Sequence, residues 1–120
     1  MLKVYAYKNC GACRKALQFL KSRKIAHTIV PIRETPPTVA ELKKALQSAG
    51  GIRRLFNTSG LDYRSLDLKT RLPSMSEEQA LALLSKNGNL VKRPFAIGNG
   101  QILIGFKEDE WKKTCQGVRR

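Results

Sequence analysis

Leu2-Lys-Val-Tyr-Ala-Tyr-Lys-Asn-Cys-Gly-Ala-Cys-Arg-Lys-Ala-Leu-Gln-Phe-Leu-Lys21 is the stretch on which the fold turns. Residues 2–7 alternate and are rich in β-formers, so they predict a strand. The period then changes. Cys13, Ala16, Leu17 and Leu20 fall at i, i+3, i+4 and i+7, one apolar stripe of a helix ending near Lys24. Thr28-Ile-Val-Pro-Ile32 reads as a second strand, with His27 standing alone before it as a surface or internally satisfied histidine. Strand, helix and strand within about thirty residues make a βαβ unit, which implies parallel strands and a right-handed crossover.

Downstream, Glu34-Thr-Pro-Pro37 interrupts the pattern, and Thr38 with Glu41 forms a capping-box signature. Val39, Leu42, Leu46 and Ala49 supply the core face of the helix it opens, and Gly50-Gly51 stops that helix. A short helical turn over 52–56 leads into the loop Asn57-Thr-Ser-Gly60. Ser76 and Gln79 cap another helix, with Ala80, Leu83 and Leu84 inward and Asn87-Gly88 at its end. Phe95-Ala-Ile97 and Gln101-Ile-Leu-Ile104, joined by Gly98-Asn-Gly100, predict a β-hairpin. A last helix begins in Glu108-Asp-Glu110, where acids suit the positive helix end, and buries Trp111, Cys115 and Val118. The sum is an α/β protein ordered βαβ, helices, ββα.

At 120 residues and 42% hydrophobic composition, one domain with one real core is expected. No apolar run reaches the length of a membrane span and no signal-peptide pattern opens the chain, so a cytoplasmic protein with no membrane partner is expected. The net charge is +14. It favours acidic partners: nucleic acid, an acidic protein surface, or anionic thiols such as glutathione. The basic pairs (Arg14-Lys15, Lys43-Lys44, Arg53-Arg54, Lys92-Arg93, Lys112-Lys113, Arg119-Arg120) are spread along the chain without interleaved aromatic residues. Solvated basic faces are the simpler reading, and direct sequence-specific nucleic-acid binding is not expected.

The chemistry concentrates at Cys10-Gly-Ala-Cys13, between a strand and the first turn of a helix. Unpaired N–H groups and the positive helix end favour a thiolate there, and Lys8, Arg14 and Lys15 add positive charge. A thiolate is the exchange-active form of cysteine. Cys13 sits one helical turn on, placed to attack a mixed disulfide on Cys10. The expected roles are Cys10 as nucleophile and Cys13 as resolving thiol, at the position where a C-x-x-C in a βαβ unit reads as a redox motif. Zinc would need four ligands, and His27 and Cys115 match no familiar spacing, so no metal is expected. A buried structural pair of thiols is the plainer alternative. Arg93-Pro94, just before the third strand, reads either as an edge proline or as a cis-proline facing the Cys10 turn, with Arg93 directed at anions or thiolate.

Nearly end to end, the chain resembles the ArsC/Spx branch of the thioredoxin-like proteins. The resemblance rests on Tyr7-Lys-Asn-Cys-Gly-Ala-Cys-Arg-Lys-Ala16, Leu55-Phe-Asn-Thr-Ser-Gly60, Tyr63-Arg-Ser-Leu66, Leu72-Pro-Ser-Met-Ser-Glu77, Lys92-Arg-Pro94 and Ile104-Gly-Phe106. It implies a thioredoxin-like, mixed four-stranded sheet. The core then spans about 1–37 and 90–120, with an inserted helical subdomain over about 38–89. It implies that Pro94 is the cis-proline beside the active cysteine, that Cys10, Cys13 and Arg93 carry the catalysis, and that Lys8, Asn9, Gly11, Arg14 and Pro94 meet the substrate. Glutathione-dependent arsenate reductases of this branch resemble the chain at Cys10-Gly11, Arg14 and Arg93, but have a serine in place of Cys13. They hold the oxyanion with two further arginines, where this chain has Asn57 and Gly105. Losing two charge-assisted contacts, each worth on the order of 1.5–3 kcal/mol, removes the expectation of efficient arsenate reduction.

Two functions are expected from the residues and the resemblance. One is a thiol–disulfide oxidoreductase with no bound cofactor, using glutathione as co-substrate or a thioredoxin-type reductant as partner. The alternative is an Spx-type redox-sensing regulator that binds RNA polymerase, although Gly11-Ala12 stands where Spx proteins usually carry Thr-Ser.

Overall fold

The computed structural model describes residues 1–115, with side chains through Thr114. The elements run β1 (Leu2–Ala6), α1 (Gly11–Ser22), β2 (His27–Pro31), α2 (Val39–Ala49), α3 (Leu61–Ser65), α4 (Leu68–Arg71), α5 (Glu77–Lys86), β3 (Phe95–Gly98), β4 (Gln101–Ile104) and α6 (Glu108–Cys115). Short 3₁₀ turns occupy Ile52–Leu55, Leu72–Ser74 and Gly88–Leu90. The chain divides into two compact units, one of Met1–Pro31 with the segment from Arg93 onward, the other Ile32–Lys92.

The first unit is built on a mixed four-stranded sheet in the order β2-β1-β3-β4. β1 and β2 are parallel, as the βαβ pattern requires, with Leu2 opposite His27 and Ala6 opposite Pro31. β3 runs antiparallel to β1 and to β4. The hairpin turn is shorter than the sequence predicts. Gly98 still pairs with Gln101, leaving Asn99 and Gly100 at φ 54° and 74°, the paired left-handed residues of a two-residue loop. The core of this unit is Leu2, Val4, Ala6, Cys13, Ala16, Phe19, Leu20, Ile25, Ala96, Leu103 and Trp111. Phe19, Phe106 and Trp111 meet edge to face, with ring centroids 5.3–6.2 Å apart. The Trp111 indole N–H donates to the Gly105 carbonyl at 2.9 Å.

Those aromatic partners correct the helix stripe. Phe19 is buried on α1 and Leu17 only half-buried, because Phe106 and Trp111 lie on the Phe19 side. Element ends also move. β1 stops at Ala6, α1 at Ser22, and β2 runs from His27 to Pro31, so His27 belongs to the strand instead of preceding it. Its ring Nδ1 lies 2.8 Å from the Ile25 carbonyl. Val118 lies outside the described residues, as does the side chain of Cys115, so their expected core positions fall there too.

The second unit is helical, with α2 packed on α5 and a single antiparallel bridge between Phe56 and Val91. Both capping boxes are present. Thr38 Oγ1 accepts from Glu41 N–H at 3.2 Å and the Glu41 carboxylate accepts from Thr38 N–H at 3.0 Å. Ser76 and Gln79 repeat the arrangement at 3.1 and 3.0 Å. The inward faces differ from expectation. On α2, Leu42 and Ala45 are buried, Leu46 and Ala49 are half-buried, and Val39 at the helix start is exposed. On α5, Ala80, Leu81 and Leu84 are buried and Leu83 is only half-buried. The central run Ala80-Leu-Ala-Leu-Leu84 of that helix is apolar throughout, so its pattern does not choose a face there.

Candidate active site

The site is assembled at the start of α1. Cys10 is the N-cap residue, in extended backbone conformation, and its Sγ accepts the Cys13 N–H at 3.3 Å. The Cys10 N–H donates to the Tyr7 carbonyl at 3.0 Å, and the Arg14 N–H donates to the Cys10 carbonyl at 3.1 Å. The sulfur therefore occupies the place of a capping hydroxyl, aimed at the unpaired donors of the first turn. Cys10 is half-buried against the core, whereas Cys13 is 1% exposed. Burial pushes the Cys13 thiol up to about 12, and its hydrogen bond with Cys10 pushes the same way; the Tyr7 backbone and the Arg93 charge act in the opposite direction. The buried cysteine thus holds its proton while the half-exposed one faces the helix-end donors.

Arg93 joins the group from the segment leading into β3. Its guanidinium carbon lies 5.3 Å from the centre of the Tyr7 ring, a cation–π contact. Its Nη1 is buried and has no hydrogen-bond partner among the described residues. A buried guanidinium N–H without an acceptor is costly, and an anionic group of a substrate would satisfy it. Tyr7, which the sequence reading did not single out, is the platform for that guanidinium. The Asn9 amide donates to the Tyr7 hydroxyl at 3.1 Å, which ties Asn9, Tyr7 and Arg93 into one chain. The available signal was the aromatic residue at the end of β1, immediately before the cysteine turn.

The remaining candidate residues divide. Pro94 is buried, follows a cis Arg93–Pro94 peptide bond, and accepts the Gly105 N–H at 2.8 Å through its carbonyl. Gly11 opens α1, and a Cβ built there meets nothing within 4 Å, so the space in front of the helix start is clear. Lys8 and Arg14 are exposed, and neither makes an ion pair or a side-chain hydrogen bond to the cysteines among the described residues. Gly105 has φ 72°, a left-handed conformation that side-chain-bearing residues resist. An arginine at this position would be strained, in keeping with its absence. Among the described residues no His, Cys, Asp and Glu side chains cluster closely enough to hold a metal ion, and no helix is long and apolar enough to cross a membrane.

A family model described as the ArsC family matches residues 5–114. The Bacillus subtilis protein YusI is 40% identical over 114 residues, covering 94% of this chain and 97% of its own length. The regulatory protein MgsR of the same organism is 29% identical, covering 96% of this chain and 90% of its own. Among solved structures, an ArsC family related protein from Bacteroides fragilis superposes with a TM-score of 0.87 at 41% identity, over 93% of this chain and 95% of that one.

Proposed function

The chain belongs to the ArsC family, and from that premise we propose that it is a thiol–disulfide oxidoreductase working through Cys10 and Cys13. The observation that carries the reading is the Cys13 N–H donating to Cys10 Sγ at the helix start, with a protonated, buried thiol on the same residue. Cys10 thiolate attacks one sulfur of a disulfide. A Cys10–sulfur bond forms, the substrate S–S bond breaks, and the leaving sulfur departs as thiolate. That thiolate takes the Cys13 proton. Cys13 then attacks Cys10 Sγ, releasing the second substrate sulfur as thiolate and closing a Cys10–Cys13 disulfide. Two electrons have passed to the substrate, and glutathione or a thioredoxin-type dithiol returns the pair to the reduced form. Arg93 holds the anionic part of the substrate, with its unpartnered Nη1 as the donor.

Arsenate is a poor fit to this site. Gly105, in left-handed conformation, leaves the oxyanion without one of the expected arginines, and the sequence has Asn57 at the position of the other. The reading is tested by titrating the protein in glutathione buffers of graded potential and mapping Cys10, Cys13 and Cys115 by mass. A reversible Cys10–Cys13 bridge supports it, whereas Cys10 trapped only as a glutathione adduct, or no bridge at all, demotes Cys13 to packing and overturns the dithiol mechanism.

A second reading has the similarity to the regulator MgsR in its favour. In it the same cysteine pair is a sensor and the protein engages RNA polymerase. A pull-down from lysate that recovers no polymerase subunit from either the oxidised or the reduced protein removes it.

A further inference from the structure

The four longest helices begin under different electrostatic rules. α2 has Glu41 in its first turn, α5 has Glu77 and Glu78, and α6 has Glu108, Asp109 and Glu110. Each follows the macrodipole, which favours acids at a helix start. α1 has none; instead Arg14 and Lys15 stand near its beginning. No acidic residue occurs anywhere before Glu34.

The cations of α1 lie on its outward side. Arg14, Gln18 and Lys21 follow one another at i, i+4 and i+7, with Lys15 alongside, and all are exposed. Lys8 before the helix and Lys24 after it are exposed as well. None of these cations makes an ion pair among the described residues, whereas Lys112 on α6 pairs with Glu108 at 3.2 Å. An ordinary solvated helix face mixes signs so that i,i+4 pairs attract. Arg14 and Lys15 stand against the dipole at the helix start, and no acid on this face offsets its cations, although Lys21 in the last turn suits the dipole. Departures of that kind mark functional surfaces.

We propose that the outward face of α1 is a docking strip for an acidic polypeptide carrying the disulfide that Cys10 attacks. The inference rests on Cys10 being the exchange nucleophile and names the substrate class of that site. The strip starts beside Cys10 and runs along α1 to Lys21, with Lys24 just past the helix end. From Gly11 to Lys21, ten residues on, it measures about 15 Å at helical rise. A tripeptide such as glutathione spans only about 10 Å when extended, so it cannot occupy the strip and the sulfur together. A longer chain with carboxylates can lie along the cations while its disulfide reaches Cys10 past the open space at Gly11. The exchange is the one written above, with the polypeptide disulfide as the oxidant and its two thiols as products.

The test compares three disulfides: the uncharged bis(2-hydroxyethyl) disulfide, a cyclic disulfide peptide flanked by four glutamates, and the same peptide with glutamines. The wild-type protein should reduce the glutamate peptide about tenfold faster than the glutamine peptide at low salt, an advantage that shrinks as salt is raised. The double variant Gln18→Glu/Lys21→Glu should abolish that advantage and leave the bis(2-hydroxyethyl) disulfide rate unchanged, and Lys21→Gln should remove part of it. Equal rates for the two peptides, or an advantage that survives the double variant, overturns the docking strip while leaving the thiol chemistry standing. Failure to reduce even the uncharged disulfide overturns both, and is recognised because that substrate depends on the cysteine pair and not on the strip.

Discussion

The starts of α1 and α2 share a backbone plan and serve opposite ends. In both, the N-cap side chain accepts the N–H of the residue three positions on: Cys13 to Cys10 Sγ at 3.3 Å, Glu41 to Thr38 Oγ1 at 3.2 Å. In α2 the bond is returned, since the Glu41 carboxylate accepts the Thr38 N–H. In α1 the corresponding N–H goes to the Tyr7 carbonyl, and the residue at the glutamate's place is a buried thiol. A closed capping box leaves no reactive lone pair to spare. Replacing hydroxyl by sulfur and carboxylate by thiol keeps one capping bond and sets two sulfur atoms one turn apart, so the same geometry that stabilises α2 prepares exchange in α1.

The change that separates the two roles most sharply is Cys10→Ser. Serine is a strong N-cap, so the helix start should survive with stability within about 1 kcal/mol of wild type. Disulfide exchange should fall to the uncatalysed background, because a serine hydroxyl neither exchanges with disulfides nor ionises near neutral pH. Thermal unfolding beside turnover on bis(2-hydroxyethyl) disulfide reads both. A variant that keeps its turnover would show that the cap geometry, and not the sulfur, carries the activity.

Next in size is the pH dependence of Cys13. Its thiol is raised from 9.0 to about 12 in the folded protein, mainly by burial. Below pH 9 both folded and unfolded chains keep this proton, so the group adds no slope. Between pH 9 and about 12 the unfolded chain releases it while the folded chain retains it, and stability falls by about 1.4 kcal/mol per pH unit from this group alone. Denaturant melts at pH 8, 9.5 and 10.5 should show a steeper alkaline loss in wild type than in Cys13→Ala. Parallel slopes would mean that Cys13 is not held protonated by its surroundings.

Smaller again are the caps of the helical unit. Thr38→Ala and Ser76→Ala should each cost about 1 kcal/mol, since each opens a complete box. The exchange rate of the folded protein should stay at the wild-type value. A rate that fell with either cap would tie the helical unit to the chemistry and break the separation between the two kinds of helix start.

What could be read from the residues depended on whether the deciding partner was near in sequence. Thr38 with Glu41 and Ser76 with Gln79 are local pairs, and both boxes stand as their spacing indicates. The alternation of β1 and the change of period after Cys10 are local too, and they place the cysteine pair at a strand-to-helix turn. Phe19 was missed because Phe106 and Trp111, the rings that bury it, arrive more than eighty residues later. Tyr7 was missed for the same reason, its partner being Arg93. In α5 the run Ala80-Leu-Ala-Leu-Leu84 offers no polar face, so Leu81 and Leu83 could be distinguished only by packing. α3 and α4 are shorter than two turns and begin at Gly60 and Asp67 without a side-chain cap, leaving no start signal to find.

The smallest effect belongs to the first helical residue, where the comparison can be made at one position. α2 begins with Val39 and α5 with Glu77, whereas α1 begins with Gly11, the poorest helix former among them. Neither conformation nor crowding requires a glycine there: Gly11 is not among the residues with positive φ, and an added Cβ has open space. Gly11→Ala should therefore stabilise the protein by about 0.4–1 kcal/mol through the unfolded chain. If the glycine serves to clear the approach to Cys10, Gly11→Leu should slow exchange with a peptide disulfide more than with bis(2-hydroxyethyl) disulfide, while the melting temperature holds. Equal slowing of both substrates would locate the effect in the cap itself, and no slowing of either would leave Gly11 without a part in the reaction.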